Sequence, residues 1–347
     1  MKFLITLLLL ALGVNAASLA DLSYSTTGGK VVIYDCDTGA TGELTIPNSI
    51  EGNPVVRITS YAFRDCTSLT SITIPDCVTN IGDFAFRDCT SLKTIEIGAE
   101  NGNYTDVDGV LFNKEETDLL DYPAGKGGNY KIPDSVTSIW EYAFAWSTDL
   151  TSIMIPDSVT SIGAEAFNRC TALTSITIGN GVTSIGAEAF NRCTSLASIT
   201  IPDSVTSIGF LAFYECRSLK SITFQGVAPT VGARAFSDLV DGAEAFVTVE
   251  ALSSFGVVDA DWNGLLIQVR DGTTNPEIRT AIEFSFNSDE IKFSFDAVNG
   301  VNYRIEASTD LINWEMMETA IIGEGIRIDR FYSTRDQSNH HFRVKMN

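Results

Sequence analysis

Few side chains in this 347-residue chain are of the kinds that catalyse reactions. Its two histidines, His340 and His341, lie next to each other near the C-terminus, and the chain has no G-x-S-x-G, P-loop, H-E-x-x-H or paired C-x-x-C motif. Catalysis requires titratable groups that converge on one point, and the pattern positions none. A pair of acidic residues could cleave a glycan in principle, but nothing places such a pair. We therefore predict that the protein is not an enzyme and uses no cofactor.

Metal binding is the other chemistry that the spacing of acidic residues could support. Four residues have the spacing of a calcium-binding loop: Asp106, Asp108, Gly109 and Glu115. Tyr104, however, occupies the position of the first acidic ligand. Residues 237–263 contain six acidic residues and no basic one, a composition typical of a solvated surface. We predict no metal site and keep calcium binding at these two stretches as the alternative.

The charge of the chain limits its partners. A formal net charge of −21 argues against nucleic acid as a ligand, because phosphate groups are bound by clustered Lys and Arg. The same charge disfavours approach to anionic membranes. The classes of partner that remain are a protein or a glycan, and the chain is expected to be a monomer.

The side chains are positioned by a repeat. Three consecutive 23-residue units begin at Leu150, Leu173 and Leu196, and we number the places in each unit from 1 to 23. A fixed period of this length predicts a solenoid, in which a single unit cannot bury its apolar side alone. The LTSITI segment alternates Ile with Ser or Thr, as β-strands do. The following VTSIG predicts a second short extended piece, and AEAFNRC predicts a turn of helix or 3₁₀ helix.

A phenylalanine at place 18 extends this phase along the chain. Every interval between successive members is 23 residues except the interval from Phe86 to Phe144, which contains 35 extra residues; the set is Phe63, Phe86, Phe144, Phe167, Phe190, Phe213 and Phe236. We expect these rings to stack inside the solenoid. Removing one should cost roughly 3–5 kcal/mol of stability, as for other buried Phe to Ala changes.

The unit L-x-x-I-x-I-P-D-S-V-T-S-I-G-x-x-A-F-x-x-C resembles the BspA-like leucine-rich repeats of bacterial and protist surface proteins, over about residues 44–269. It differs from the general leucine-rich pattern because its next apolar residue comes one place early and place 9 carries no Asn ladder. The resemblance implies an exported recognition protein, often an adhesin. The ligands of this family differ from member to member, so the partner stays open.

The expected fold class is a mainly β repeat solenoid: a leucine-rich-repeat-like stack with one parallel sheet and short helical or 3₁₀ turns, followed by a small antiparallel β-sandwich. The predicted segments are a signal peptide (1–16), an N-terminal β cap (17–46), leucine-rich repeats (47–236) with a hairpin insertion (98–131), a C-terminal cap (237–270), a linker (271–277) and a β-sandwich module (278–347). The last module is similar to short β-modules that end many secreted bacterial proteins. Such a module could be a spacer, a surface-retention element or an export signal.

Export follows from the N-terminus. The apolar run Phe3–Val14 precedes a small-residue cleavage site at Val14-Asn15-Ala16. This run has 12 residues, whereas a membrane anchor needs roughly 20. We expect a protein that is secreted or at the bacterial cell surface and is not inserted into the membrane.

Seven cysteines are an odd number for an oxidising compartment. Five of them occupy place 21: Cys66, Cys89, Cys170, Cys193 and Cys216. Stacked coils would hold their Cβ atoms farther apart than the roughly 3.8 Å that a disulfide needs. We therefore predict buried free thiols at place 21, and the pairing of Cys36 and Cys77 stays open.

The coil after the insertion breaks the repeat with large rings. Trp140 stands where most coils have Gly, Tyr142 where the two most regular coils have Glu, and Trp146 at a place that is otherwise charged. Together with Tyr122 of the insertion, they form the first candidate binding surface, since clustered exposed aromatics mark binding hot spots. The alternative is that the inserted hairpin folds over these rings and the cluster is structural.

Rows of hydroxyl side chains on the predicted sheet, including Thr177 and Thr200, form the second candidate surface. Such rows could bind a ligand, but they are more often β-favouring residues that keep a sheet soluble. The function predicted from all these features is recognition of an extracellular protein or glycan through the repeat surface. The alternative is a structural scaffold at the cell surface or outside the cell.

Overall fold

The computed structural model describes residues 16–248 and 250–270, together with the backbone of six strands between residues 283 and 346. The predicted signal peptide and linker fall almost entirely outside the described residues, so both stay predictions. The chain divides into two units, residues 1–271 and 272–347.

The first unit is a mainly β solenoid of about ten turns with almost no helix, so the predicted fold class is confirmed. Each regular coil carries a longer strand around places 3 to 6 and a two-residue strand at places 12 and 13. Equivalent residues of successive coils pair in parallel, as Ile153 does with Ile176 and Ile162 with Ile185. The repeat therefore builds two columns of parallel strands, whereas one parallel sheet was expected.

The long-strand column consists of three runs of strands. The strands are Gly42–Thr45, Leu69–Ile74 and Thr94–Ile97; then Gly128–Lys131, Leu150–Met154 and Ser175–Thr177; then Ser198–Ile201, Ser221–Phe224, Glu244–Thr248 and Leu265–Arg270. The last of these also pairs with the antiparallel strand Asp261–Trp262. The insertion separates the first run from the second.

The short strands form the second column. Its main run consists of Asp118–Asp121, Ser138–Ile139, Ser161–Ile162, Ser184–Ile185, Ser207–Ile208 and Thr230–Val231. Threonines at place 11 reinforce it, because each donates its hydroxyl to the carbonyl at the same place one coil earlier. Thr160, Thr183 and Thr206 make this bond at 3.2, 3.1 and 3.2 Å.

Antiparallel strands cover the N-terminal end. Leu22–Thr27 pairs with Lys30–Cys36, which pairs in parallel with Asn53–Ile58; that strand also pairs with Ser49–Ile50 and Asn80–Ile81. The helical segments of the first unit's described residues are the 3₁₀ turn Leu19–Asp21 and the helix Leu252–Phe255. The C-terminal end is closed by Phe255 and Trp262, whose ring centroids lie 4.7 Å apart.

The core of each coil is the stacked phenylalanine predicted from the repeat. Ring centroids of Phe144, Phe167, Phe190 and Phe213 lie 4.8, 5.1 and 5.1 Å apart in succession, and these four rings are fully buried. Phe63 and Phe86 form a separate stack at 5.5 Å. The described core therefore falls into two clusters, which divide at the insertion.

The segment predicted as a helical or 3₁₀ turn is a non-helical turn with two left-handed residues. Glu165 and Arg169 have φ of 53° and 63°, and the other coils repeat this at places 16 and 20. Non-glycine residues rarely adopt this conformation, and here hydrogen bonds between coils hold it. The Phe167 N–H, for example, donates to the Ala189 carbonyl at 2.7 Å. The repeated outward side chains at these places therefore form columns along one side of the solenoid.

The five cysteines of place 21 are buried and free, as predicted. The thiols of Cys193 and Cys216 lie 3.2 and 3.0 Å from the carbonyl oxygens of Phe167 and Phe190, one coil earlier. Burial raises the pKa of the Cys216 thiol to about 12, so this thiol stays protonated at neutral pH. Cys36 and Cys77 are also free, and Cys77 is partly exposed.

The second unit contains two three-stranded antiparallel sheets. One sheet consists of Glu283–Phe286, Glu290–Asp296 and Arg327–Ser333, and the other of Glu315–Ile322, Asn302–Ser308 and His341–Met346. These strands are the elements expected of a small antiparallel β-sandwich. The packing of the two sheets on each other stays a prediction.

Candidate functional site

The insertion forms an additional, shortened coil. Tyr104–Val107, Val110–Asn113 and Asp118–Asp121 make an antiparallel meander whose last strand joins the short-strand column beside Ser138–Ile139. The predicted hairpin is present as Val110–Asn113 and Asp118–Asp121. Its side chains Val110, Phe112 and Leu119 are fully buried, so the hairpin packs into the core and does not project as expected.

Tyr122 takes the phenylalanine position of this coil. Its ring stacks on Phe144 at 4.8 Å, and its N–H donates to the Ala143 carbonyl at 2.6 Å, as the Phe144 N–H donates to Ala166 at 2.8 Å one coil later. Tyr122 is 2% exposed, and its hydroxyl donates to the Gly127 carbonyl. The structure therefore places Tyr122 in the core, away from any surface that could meet a partner.

The turn of the inserted coil is too short to complete the wall of the solenoid. A regular turn has four residues between the Ile of place 13 and the Phe of place 18, as between Ile139 and Phe144, whereas the inserted coil has only Leu120 and Asp121 between Leu119 and Tyr122. The missing backbone leaves a cavity of about 660 Å³ between the turns on either side. We call this cavity the notch. Its side chains come from coils that are distant in sequence.

Trp140 enters the notch because the usual restriction on its place is lifted there. In regular coils place 14 is Gly: a Cβ at Gly163 would lie 2.6 Å from the backbone of the coil before it, and a Cβ at Gly186 would meet the same obstruction. Place 14 is not Gly at Thr59 and Trp140, which follow the N-terminal cap and the shortened coil. The structure thus permits a side chain at Trp140 without requiring a large one. The indole is 45% exposed.

The notch combines aromatic rings with carboxylates. Its lining includes the rings of Trp140, Phe84 and Tyr104, and the acidic residues Asp83, Asp121 and Glu141. Asp83 and Glu141 are exposed, while Asp121 is partly buried. Loss of solvent raises the pKa of the Asp121 carboxyl to about 7. The arrangement provides apolar faces for stacking and negative charge for binding.

Tyr142 bridges the coils on either side of the notch. Its ring meets Phe84 edge-on at 4.5 Å, and the Arg87 guanidinium lies 5.1 Å from the ring centroid. Its hydroxyl donates to the Glu165 carboxylate of the next coil. Burial and this hydrogen bond raise the pKa of the Tyr142 hydroxyl. Tyr142 therefore mainly links the neighbouring coils beside the notch.

Trp146 lies on a neighbouring part of the same side. Its ring is partly buried, and the Arg169 guanidinium of the next coil lies 4.3 Å from the ring centroid. Trp146 lines a smaller cavity that also borders Tyr122 and Asp121. Of the four aromatic residues predicted for the site, the structure thus gathers Trp140, Tyr142 and Trp146 along one side and leaves only Trp140 well exposed.

Thr177 and Thr200 lie on the long-strand side and line one shallow hollow of about 510 Å³. Both are exposed, as is Met154 nearby. The strands Ser175–Thr177 and Ser198–Ile201 belong to different sheets, so the strand column is interrupted between them. The hollow is a second, more open surface and is separate from the notch.

The residues with calcium-loop spacing have structural roles in the backbone of the insertion. Asp106 accepts hydrogen bonds from the N–H groups of Ile97 at 2.8 Å and Gly109 at 3.4 Å. Asp108 and Gly109 form the tight turn, with φ of 51° and 74°. Across the described residues, no group of three or more His, Cys, Asp or Glu side chains could hold a metal ion.

Trp140 was predicted from the sequence, whereas the residues that surround it were not, namely Asp83, Phe84, Tyr104, Asp121 and Glu141. A signal was present in the sequence, because the non-glycine at place 14 implies that the preceding turn is incomplete. Phe84 and Asp83 come from a coil 58 residues earlier and could not be brought to Trp140 without the path of the insertion.

The repeat matches a known family. A profile of the BspA type leucine-rich repeat region matches residues 37–118 and 126–241 in six copies, which is more than half of the chain. The chain belongs to the BspA-type leucine-rich repeat family. The predicted resemblance is therefore confirmed, and the gap between the two matched ranges lies within the insertion. No match was found among curated protein sequences.

Several solved structures are similar to this BspA-type repeat protein. A leucine-rich cell surface protein from Faecalibacterium prausnitzii is 32% identical, with 53% of this chain and 54% of that chain covered and a TM-score of 0.46. The pneumococcal vaccine antigen PcpA is 18% identical, with 73% and 92% covered and a TM-score of 0.51, a likeness of fold. A leucine-rich repeat protein of T. pallidum is 26% identical, with 65% and 91% covered and a TM-score of 0.36. This chain thus spans about half of the F. prausnitzii protein. In the described part of the chain, no helix is long and apolar enough to cross a membrane.

Proposed function

We propose that the protein is exported and recognises an extracellular protein or glycan through the notch side of its solenoid. The observation that carries this proposal is the exposed Trp140 indole at a place where the repeat otherwise has glycine, beside a cavity of about 660 Å³. Cavities of roughly 300–1,000 Å³ with apolar walls and a few polar groups are typical of ligand sites.

Family membership supports the class of function. Surface proteins with BspA-type repeats suggest a role in extracellular interaction or adhesion, and leucine-rich repeats of this kind occur in non-catalytic binding proteins. The predicted signal peptide fits the same role. Binding through an irregular coil also fits the chemistry, because large rings supply contact area at low conformational cost.

The test is a pull-down in which the full chain from Ala17 is immobilised and exposed to extracellular proteins and to glycans. Trp140→Gly introduces the residue that regular coils have at this place, so the variant should fold normally. It should retain at least tenfold less of the partner than the wild type does. Phe210→Ala is the matched control, since Phe210 is 47% exposed on a coil away from the notch. Equal retention by the wild type and Trp140→Gly would contradict the proposal.

A structural scaffold is the alternative function. A scaffold should self-associate, whereas the proposed recognition protein should sediment as a monomer at micromolar concentration and retain a foreign partner. Concentration-dependent assembly in analytical ultracentrifugation, without a retained partner, would favour the scaffold.

A further inference from the structure

The notch has an excess of unpaired negative charge. Asp83, Asp121 and Glu141 line it from three successive turns, and no Lys, Arg or His is among the described residues that line it. Within the same described region, none of the three carboxylates takes part in a salt bridge or a side-chain hydrogen bond. Asp121 and Glu141 also line the smaller adjoining cavity together with Arg87, whose guanidinium pairs with Asp88 at 3.4 Å.

The two other outward rings of the Trp140 coil each lie near a cationic side chain. Tyr142 and Trp146 each carry a guanidinium near their ring, from Arg87 at 5.1 Å and from Arg169 at 4.3 Å. Trp140 is the third outward ring of this coil, and the described structure gives it no cation. A cation near the indole face is attracted by the ring quadrupole, and Trp is the strongest partner among the aromatic side chains.

We propose that the notch binds a positively charged side chain, a lysine ammonium or an arginine guanidinium, that is presented by a partner protein. This inference rests on the proposed function and names the chemistry of its ligand. The side chain lies against Trp140 and is neutralised by Asp83, Asp121 and Glu141, while the remaining volume holds the flanking residues of the partner. A neutral sugar could stack on the indole, but it would bring no positive charge to Asp83, Asp121 and Glu141.

The probe is a fluorescein-labelled pentalysine peptide, compared with the same peptide acetylated on every Nε, at about 150 mM salt to suppress weak surface attraction. In fluorescence anisotropy, acetylation should weaken binding at least tenfold. The double variant Asp83→Asn/Glu141→Gln should also weaken pentalysine binding at least tenfold, and so should Trp140→Gly.

The matched control is Glu43→Gln/Asp203→Asn, which removes the same two charges from exposed positions outside the notch. It should change the affinity less than threefold. An equal loss in the control and notch variants would overturn the proposal, because the attraction would then come from the net charge of the chain. Circular dichroism of each variant checks that the fold is retained.

The pull-down separates this inference from the proposed function. A partner whose retention depends on Trp140 but is unchanged by Asp83→Asn/Glu141→Gln would overturn the cationic ligand and leave the recognition function intact. A neutral glycan that binds in this way is one such outcome. Loss of retention in both variants supports the two proposals together.

Discussion

The regular coils from Leu150 to Cys216 and the interrupted region from Ile97 to Trp146 stack on the same axis with different backbones. In the regular coils, Phe167, Phe190 and Phe213 stack at 5.1 Å, and a glycine at place 14 lets each turn lie against the one before it. In the interrupted region, a tyrosine replaces the phenylalanine and the turn loses two residues. In the regular coils the four-residue turn closes the wall of the solenoid. In the interrupted region the loss of two of these residues opens the notch.

This difference separates what stabilises the molecule from what could give it specificity. In the interrupted region the Tyr122 ring covers Phe144, so the shortened turn does not leave Phe144 exposed. On the outer wall, the change places the Trp140 indole where regular coils have glycine and opens the notch beside it. A solenoid can tolerate such a local change because each coil contacts mainly its neighbours.

The largest effect should come from the regular core. Phe190→Ala should lower the free energy of unfolding by about 3–5 kcal/mol, because it leaves a cavity between two stacked rings. Phe84→Ala beside the notch should cost at least about 1 kcal/mol less, since that ring is only partly buried. Urea unfolding followed by circular dichroism measures both. Equal losses would mean that the two regions are equally well packed.

The second prediction concerns Asp121. Its folded pKa of about 7 lies above the ordinary value of 3.8, so the folded state holds this proton more tightly than the unfolded chain does. The stability associated with this group is therefore complete below about pH 4 and is lost as the pH rises through about 7. Asp121→Asn should raise the free energy of unfolding at pH 8 by up to about 4 kcal/mol and have little effect at pH 4.

The control for Asp121→Asn is Asp83→Asn, an exposed carboxylate on the same notch, which should change stability by less than about 0.5 kcal/mol. Thermal unfolding at pH 4, 6 and 8 gives the profile. If Asp121→Asn raises the stability equally at pH 4, 6 and 8, the pKa of the Asp121 carboxyl does not change on folding.

Place 14 provides a third comparison. Gly186→Ala places a Cβ 2.6 Å from the backbone of residues 163 and 164 and should destabilise the protein by about 1–3 kcal/mol. Gly102→Ala is the matched control, because a Cβ there has no heavy atom within 4 Å. If both substitutions are neutral in urea unfolding, the glycine at place 14 is not a steric requirement, and Trp140 loses its explanation.

The repeat made the regular part of the fold predictable. A constant interval of 23 residues sets the register of every coil, so the Phe stack and the buried cysteines followed from counting. The local form of the turn did not follow, because AEAFNRC has the composition of a helix. Its left-handed residues are held by hydrogen bonds between coils, such as Phe167 N–H to Ala189, which a single unit does not contain.

The candidate site was predictable only in part, because its members are brought together by an irregular segment. Trp140 was visible as an exception to the glycine rule, whereas Tyr122 was assigned to the surface because the apolar run around it fits a hairpin as well as a coil. Only the structure shows that the Tyr122 ring continues the Phe stack. The proximity of Asp83 to Trp140 also depends on the path of the inserted segment.

The smallest effect should come from Trp146, and it decides between the two interpretations of the aromatic coil. If the ring is structural, Trp146→Ala and Arg169→Ala should be coupled by about 0.5–1 kcal/mol in a double-mutant cycle of urea unfolding, since each removes the same cation–π contact. The coupling should weaken in high salt if the guanidinium is solvated. Retention of an identified partner should not change in Trp146→Ala. Zero coupling together with a lost partner would instead place Trp146 with Trp140 on the binding surface and extend that surface beyond the notch.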